Sequence, residues 1–193
     1  MNYNVGIGIS NKHLHLSEDD LQTLFGEGAE LHVFKELVQP GQFAAEEKVD
    51  LIGPKGMFKG VRIIGPTRPQ TQVEVSMTDA RILGIDAPVR ESGKLEGSAG
   101  AKLVGPAGEL EISSGVIIAL RHIHLSPAQA EEAGLKDKDI VDVQTHGTRP
   151  LMFQDVLIRS GDAHVKEFHV DTDEGNSAGV SNGQNAEIIS GPK

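Results

Sequence analysis

"KHLHLS" fills residues 12–17 and "RHIHLS" fills residues 121–126. The motif His-x-His-Leu-Ser therefore occurs twice, and its copies hold His13, His15, His122 and His124, four of the eight histidines. Upstream of the first copy, Val5, Ile7 and Ile9 alternate with Gly6, Gly8 and Ser10; upstream of the second stands the apolar run "GVIIAL". A period of two and a continuous apolar run both predict strands. Downstream, Ser17 is placed to N-cap a helix with Asp20 near N3, and Leu16 and Leu21 have the spacing of a hydrophobic staple. The second copy continues with Ser126 as N-cap, Pro127 at N1, Gln129 at N3 and Gly134 as a stop. Each copy thus reads as strand, His-x-His, capped helix. Histidines at i and i+2 of a strand put both rings on one face, which suits a metal pair. The other reading is a duplicated strand-to-helix corner with incidental histidines. Leucine or serine would serve such a corner as well, and a helix N-terminus beside each pair adds N–H groups able to hold an anion.

Further β-like runs follow the same logic: "KVDLIG", "GVRIIG", "TQVEVSM", "AKLVG", "ELEIS", "DIVDVQT", "DVLIR" and "HVKEFHV". Gly53-Pro54, Gly65-Pro66 and Gly105-Pro106 punctuate them as turns. With 23 glycines in 193 residues and short, evenly spaced strands, the chain favours small β-barrels over a layered α/β fold. A net charge of -10 argues against nonspecific nucleic-acid binding but leaves room for a local basic site. The chain has no cysteine, which removes disulfides and thiolate ligands and points to a reducing, cytoplasmic location. Any metal must be held by His, Asp, Glu or water. No signal peptide and no apolar run long enough for a membrane span stand out.

Other candidates carry two readings each. On a strand, His169 shares a face with Val165 and Glu167; it is either an exposed strand histidine or a fifth imidazole ligand. "DTDEGN" fails as a calcium loop, because Gly175 stands where a ligand is needed, and fits a helix capped by Asp171 with Glu174 at N3. Gln72, Glu74 and Ser76 share one face of "TQVEVSM", by default an exposed polar one. Arg68 lies between Pro66 and Pro69 on a stiff extended segment, suited to bidentate phosphate capture or simply solvated. His32, His146 and His164 fit no spacing pattern and are expected at the surface.

"NKHLHLS", "GPTRPQTQVEVSMTDARILGI", "PVRESGKLEGS", "GVIIALRHIHLSP" and "EFHVDTDEGNS", in this order, resemble the PduL-type phosphotransacylases, also called phosphate propanoyltransferases. The resemblance runs from about Val5 to the C-terminus. It implies a mainly β fold of two small β-barrel domains with short helical caps, about 1–90 and 91–193 with strands open to exchange, and a two-zinc active site at their interface. It also implies an enzyme that exchanges coenzyme A and phosphate on a short acyl group, propanoyl or acetyl. The metal ligands it implies are His13, His15, Glu74, His122, His124 and His169, and Arg68 is its phosphate-binding catalytic residue. These roles for Glu74, Arg68 and His169 come from the resemblance alone. A homodimer is implied as well. Microcompartment-associated members carry an N-terminal extension, whereas only four residues precede Val5 here, which favours a free cytoplasmic enzyme. A zinc hydrolase, with metal-bound hydroxide in place of phosphate, and a non-enzymatic metal-binding β-module are the rival expectations.

Overall fold

In the computed structural model, which describes residues 2–193, short strands dominate. The first half runs β1 (Tyr3–Ser10), β2 (His13–His15), α1 (Glu18–Phe25), β3 (Val33–Glu36), β4 (Phe43–Ile52), β5 (Met57–Gly65), β6 (Gln72–Glu74) and α2 (Met77–Leu83). Then come β7 (Val89–Arg90), β8 (Ala99–Val104), β9 (Glu109–Ala119), β10 (His122–Leu125) and α3 (Pro127–Glu132). The chain ends with β11 (Ile140–Thr145), β12 (Met152–Ser160), β13 (Glu167–Asp171), α4 (Thr172–Ala178) and β14 (Asn185–Ile188).

These elements form two units. One comprises the N-terminal segment through Ser10, Val38–Pro40 and Leu120–Lys193; the other comprises Asn11–Leu37 and Gly41–Ala119. The first is a closed barrel in the order β1-β13-β10-β12-β11-β14. The second closes through β4-β5-β2-β6-β9, with β8 pairing both β9 and β4 and with β3 and β7 as additions. The mainly β, two-barrel architecture expected from the sequence is the one the chain adopts.

The barrels repeat one pattern. β2 is antiparallel to β6 and parallel to β5, and β6 is parallel to β9. β10 is likewise antiparallel to β13 and parallel to β12, and β13 is parallel to β1. The strand before each His-x-His belongs to the other unit: β1 precedes β2 but closes the β10 barrel, and β9 precedes β10 but closes the β2 barrel.

Alternation explains the cores. Leu14, Ile63 and Val73 point into one barrel, and Ile7, Ile123 and Phe168 into the other, all at most 1% exposed. Each such burial contributes roughly 1.5–3 kcal/mol. The opposite face of the same strands is left for polar work.

The predicted caps form as their sequences dictate. Ser17 accepts from the Asp20 amide, and Ser126 with Gln129 and Asp171 with Glu174 make reciprocal capping boxes. The Gly-Pro turns serve the helices as well: the Lys55 amide donates to Leu83 O and the Ala107 amide to Leu24 O, satisfying carbonyls at the ends of α2 and α1. Gly105 is required there, since a Cβ would lie 2.3 Å from Leu24 O. Among the described residues no helix is long and apolar enough to cross a membrane.

Candidate metal centre

The two His-x-His strands build two similar clusters, one in each barrel. On β2 and β6, His13 pairs with Glu74, Leu14 with Val73 and His15 with Gln72. Leu14 and Val73 are buried in the core, so His13, His15 and Glu74 gather on the other face. On β10 and β13, His122 pairs with His169, Ile123 with Phe168 and His124 with Glu167. Here Ile123 and Phe168 face the core, and His122, His124 and His169 gather opposite. Within each trio the potential ligand atoms lie within 4.8 Å of one another.

Backbone carbonyls set the tautomers. His13 Nδ1 lies 2.8 Å from Asn11 O, and His122 Nδ1 lies 2.8 Å from Leu120 O, the carbonyl two residues back in each case. His15 Nδ1 lies 2.9 Å from Ile64 O. A carbonyl only accepts, so each Nδ1 carries a proton, and in the neutral ring Nε2 is the nitrogen with the lone pair. That is the arrangement in which outer hydrogen bonds orient ligand imidazoles.

Glu74 is equally constrained. Its Oε1 accepts from Gln72 Nε2 at 2.5 Å and from Ser92 Oγ at 2.9 Å, while Oε2 lies 3.5 Å from His13 Nε2. Gln72, 1% exposed, accepts the Gly93 amide at 2.8 Å. The default reading of Gln72, Glu74 and Ser76 as an exposed polar face is therefore corrected. β6 lies between β2 and β9, and the chain turns into α2 at the Ser76 cap, so these side chains are covered while Met77 is exposed. Arg68 donates its backbone N–H to Leu16 O and directs Nη1 to Ser92 Oγ at 3.4 Å. Its charge is felt by both His15 and Glu74.

His124 is the polar group most in need of a partner. Both of its ring nitrogens are buried without a hydrogen bond among the described residues. In the other barrel the equivalent ring is held by Ile64 O; here the equivalent carbonyl, Arg159 O, is bonded to His164 Nδ1 at 3.0 Å. The His164 ring instead stacks on His124, with centroids 4.1 Å apart and planes at 22°. His164 is thus a half-buried neighbour of the cluster, and not the surface residue expected. His32 and His146 are exposed, beside Glu47 and Glu187.

The electrostatics suit metal binding. Burial, reinforced by His13 and Arg68, pushes His15 down to about 3. Burial likewise lowers His124, aided by His122, His169 and His164. Burial raises Glu74, but His13, His15, the Ser92 bond and Arg68 outweigh it and bring the carboxyl down to about 2. His15 and His124 are therefore held as neutral imidazoles and Glu74 as an ionised carboxylate, the forms that ligate. The donor set also fits zinc in a chain without cysteine, with three protein ligands per cluster leaving a position open.

A pH dependence follows. His15 takes up a proton near its ordinary 6.5 when unfolded but only near about 3 when folded. The unfolded chain binds more protons in that window, so stability rises with pH there. The metal-free protein should hold full stability above about pH 6.5 and lose it progressively towards pH 3, with His124 adding in the same sense. Urea midpoints across that range measure this; a flat profile would contradict buried neutral imidazoles.

Some of these residues were not recognisable beforehand. Period two on β6 and β13 links Gln72 to Glu74 and Glu167 to His169. Ser92 and His164 arrive on irregular segments that carry no spacing signal.

Comparison with known proteins gives the family. The family model for phosphate propanoyltransferase matches residues 6–181. A Thermotoga maritima protein named phosphate propanoyltransferase is 55% identical over 184 residues, covering 95% of this chain and 88% of its own length. Proteins of the same name from Salmonella typhimurium and Clostridioides difficile are 48% identical over 190 residues and 45% identical over 185. They cover 98% and 96% of this chain, and 90% and 88% of their own lengths. The chain belongs to the phosphate propanoyltransferase family.

Proposed function

We propose that this protein exchanges coenzyme A and phosphate on a propanoyl group, so that propanoyl-CoA and inorganic phosphate give propanoyl phosphate and free CoA. One observation carries the reading: a chain matched to this family over residues 6–181 presents two three-ligand clusters, His13, His15 and Glu74 and His122, His124 and His169, each with two buried imidazoles. In the reaction a phosphate oxygen forms the new bond to the carbonyl carbon and the carbon–sulfur bond breaks, sulfur leaving as the CoA thiol or thiolate. The attack is direct. There is no cysteine to carry an acyl group, and the serines framed as Gly-x-Ser-x-Gly, Ser177 inside α4 and Ser181 just after it, do not stand on a strand-to-helix elbow.

The reading assigns one zinc ion to His13, His15 and Glu74 and a second to His122, His124 and His169. Zinc supplies a Lewis acid for the thioester and for the sulfur that leaves it. Arg68 binds phosphate with its planar guanidinium, aimed by the Pro66–Pro69 segment and by Ser92. The buried strand faces under both clusters hold the imidazoles in place, so little ordering is left for the moment of reaction.

Elemental analysis of protein purified without chelator or affinity-tag metal should find about two zinc ions per chain, one for each three-ligand cluster. In a thiol-release assay with propanoyl-CoA, CoA should appear only when phosphate or arsenate is present. Release in water alone would establish the zinc hydrolase, and metal binding without any release would establish a binding module. Acetyl-CoA in the same assay measures acyl preference. A cytoplasmic homodimer completes the proposal. The cysteine-free composition supports the location, and the exposed Val33 and Phe34 on edge strand β3 support association. Light scattering reporting a monomer would remove the dimer.

A further inference from the structure

The two barrels carry their polar residues in equivalent register, with one exchange. β2 and β10 present the same pair of imidazoles. On the strands beside them, Glu74 faces His13 and Gln72 faces His15, whereas His169 faces His122 and Glu167 faces His124. The carboxylate has moved from opposite the first imidazole of the pair to opposite the second. Each barrel face therefore presents one carboxylate beside its imidazoles, but in the second cluster that carboxylate lies outside the ligand trio.

Glu167 is held too firmly to be a bystander. Its Oε2 lies 2.6 Å from His169 Nε2. Gln39, 3% exposed, donates from Nε2 to that same oxygen and to Val165 O, each at 3.1 Å. Gln39 Oε1 accepts the Val165 amide at 3.1 Å, so both ends of the amide are engaged. On the remaining side is Gly8, paired with His169 across β1 and β13. A Cβ on Gly8 would lie 2.8 Å from both Cδ and Oε1 of Glu167. Absence of a side chain at position 8 is what leaves space for the carboxylate. An imidazole that donates one N–H to a carboxylate keeps its other lone pair and becomes a better ligand.

We propose that Glu167, clamped by Gln39 and given room by Gly8, is the positioning residue of the second cluster, fixing the His169 ring and supplying the negative charge that Glu74 supplies to the first. The proposal rests on reading the clusters as zinc sites. The test is zinc titration of the full-length protein in competition with a chromogenic chelator, together with thermal unfolding of the metal-free forms. Glu167→Gln keeps the shape and removes the charge. It should weaken one of the two zinc ions about 10- to 100-fold, as loss of an outer carboxylate does, and leave the other ion and the metal-free melting temperature close to the parent's. Gly8→Ala touches no ligand, and its Cβ meets only the end of a flexible side chain. It should weaken the same zinc ion to a smaller degree. Parent-like affinity for both ions in Glu167→Gln overturns the proposal. So does equal weakening of both ions accompanied by a lower metal-free melting temperature, which marks a folding role. A parent protein that binds no zinc would instead overturn the zinc reading, and this inference with it.

Discussion

With a zinc ion at each cluster, as proposed, His124→Leu should remove one of them and nearly all activity, yet make the metal-free protein more stable. The opposed signs come from one cause. Both ring nitrogens of His124 are buried and lack a hydrogen bond among the described residues. A buried polar group left unsatisfied costs about 1–3 kcal/mol. Leucine has a similar volume and nothing to satisfy, so the metal-free fold should gain stability of that order, readable as a higher urea midpoint. Metal binding should move the other way. Losing even an outer-shell partner costs about 10–100-fold, and loss of a ligand should exceed that in both zinc affinity and kcat/KM. A merely structural histidine would not separate the two readouts. A variant that keeps two ions would remove His124 from the ligand set; one that loses metal and stability together would mean that the ring supports the fold.

Arg68→Lys should lower kcat/KM for phosphate roughly 10- to 150-fold, with zinc content unchanged. One charge-assisted hydrogen bond is worth about 1.5–3 kcal/mol, and each ~1.36 kcal/mol is a factor of ten in rate. Inorganic phosphate has no nucleotide arm to anchor it, so its binding depends on a few charged donors. Guanidinium offers a planar pair of N–H bonds, and ammonium offers a point charge. The position matters as well. Arg68 Nη1 reaches Ser92 Oγ, and Ser92 Oγ donates to Glu74 Oε1. Steady-state kinetics with phosphate and propanoyl-CoA varied in turn, alongside metal analysis, separate the possibilities. Unchanged phosphate kinetics would take Arg68 out of the reaction. Loss of zinc would show that it acts through Ser92 on Glu74.

What this sequence determined by itself is whatever its near neighbours in the chain enforce. The caps at Ser17, Ser126 and Asp171 are visible because each bonds the amide three residues on. The faces of β1 and β13 are visible because alternation is a property of a single strand, and the placement of Glu167 beside His169 follows from it. Both His-x-His pairs were legible for the same reason, and the resemblance supplied the roles of Glu74, His169 and Arg68 that spacing left open. Strands without a strong alternation, β3, β7 and β14, were not legible, nor was α2 behind its Ser76 cap.

The tertiary structure alone decided which strands became neighbours. Glu74 stands opposite His13 and His169 opposite His122 because β6 and β13 pair in one register, in which Val73 and Phe168 reach the cores. A slip of one residue would turn every one of those polar groups to the wrong face. β1 and β9 each close the barrel that does not contain the His-x-His next to them in sequence, a choice made by pairing with β13 and β6 far along the chain. Gln39 reaches Glu167 by the same long-range closure. Periodicity within a segment is local, but register is set by hydrogen bonds and buried faces between segments distant in sequence.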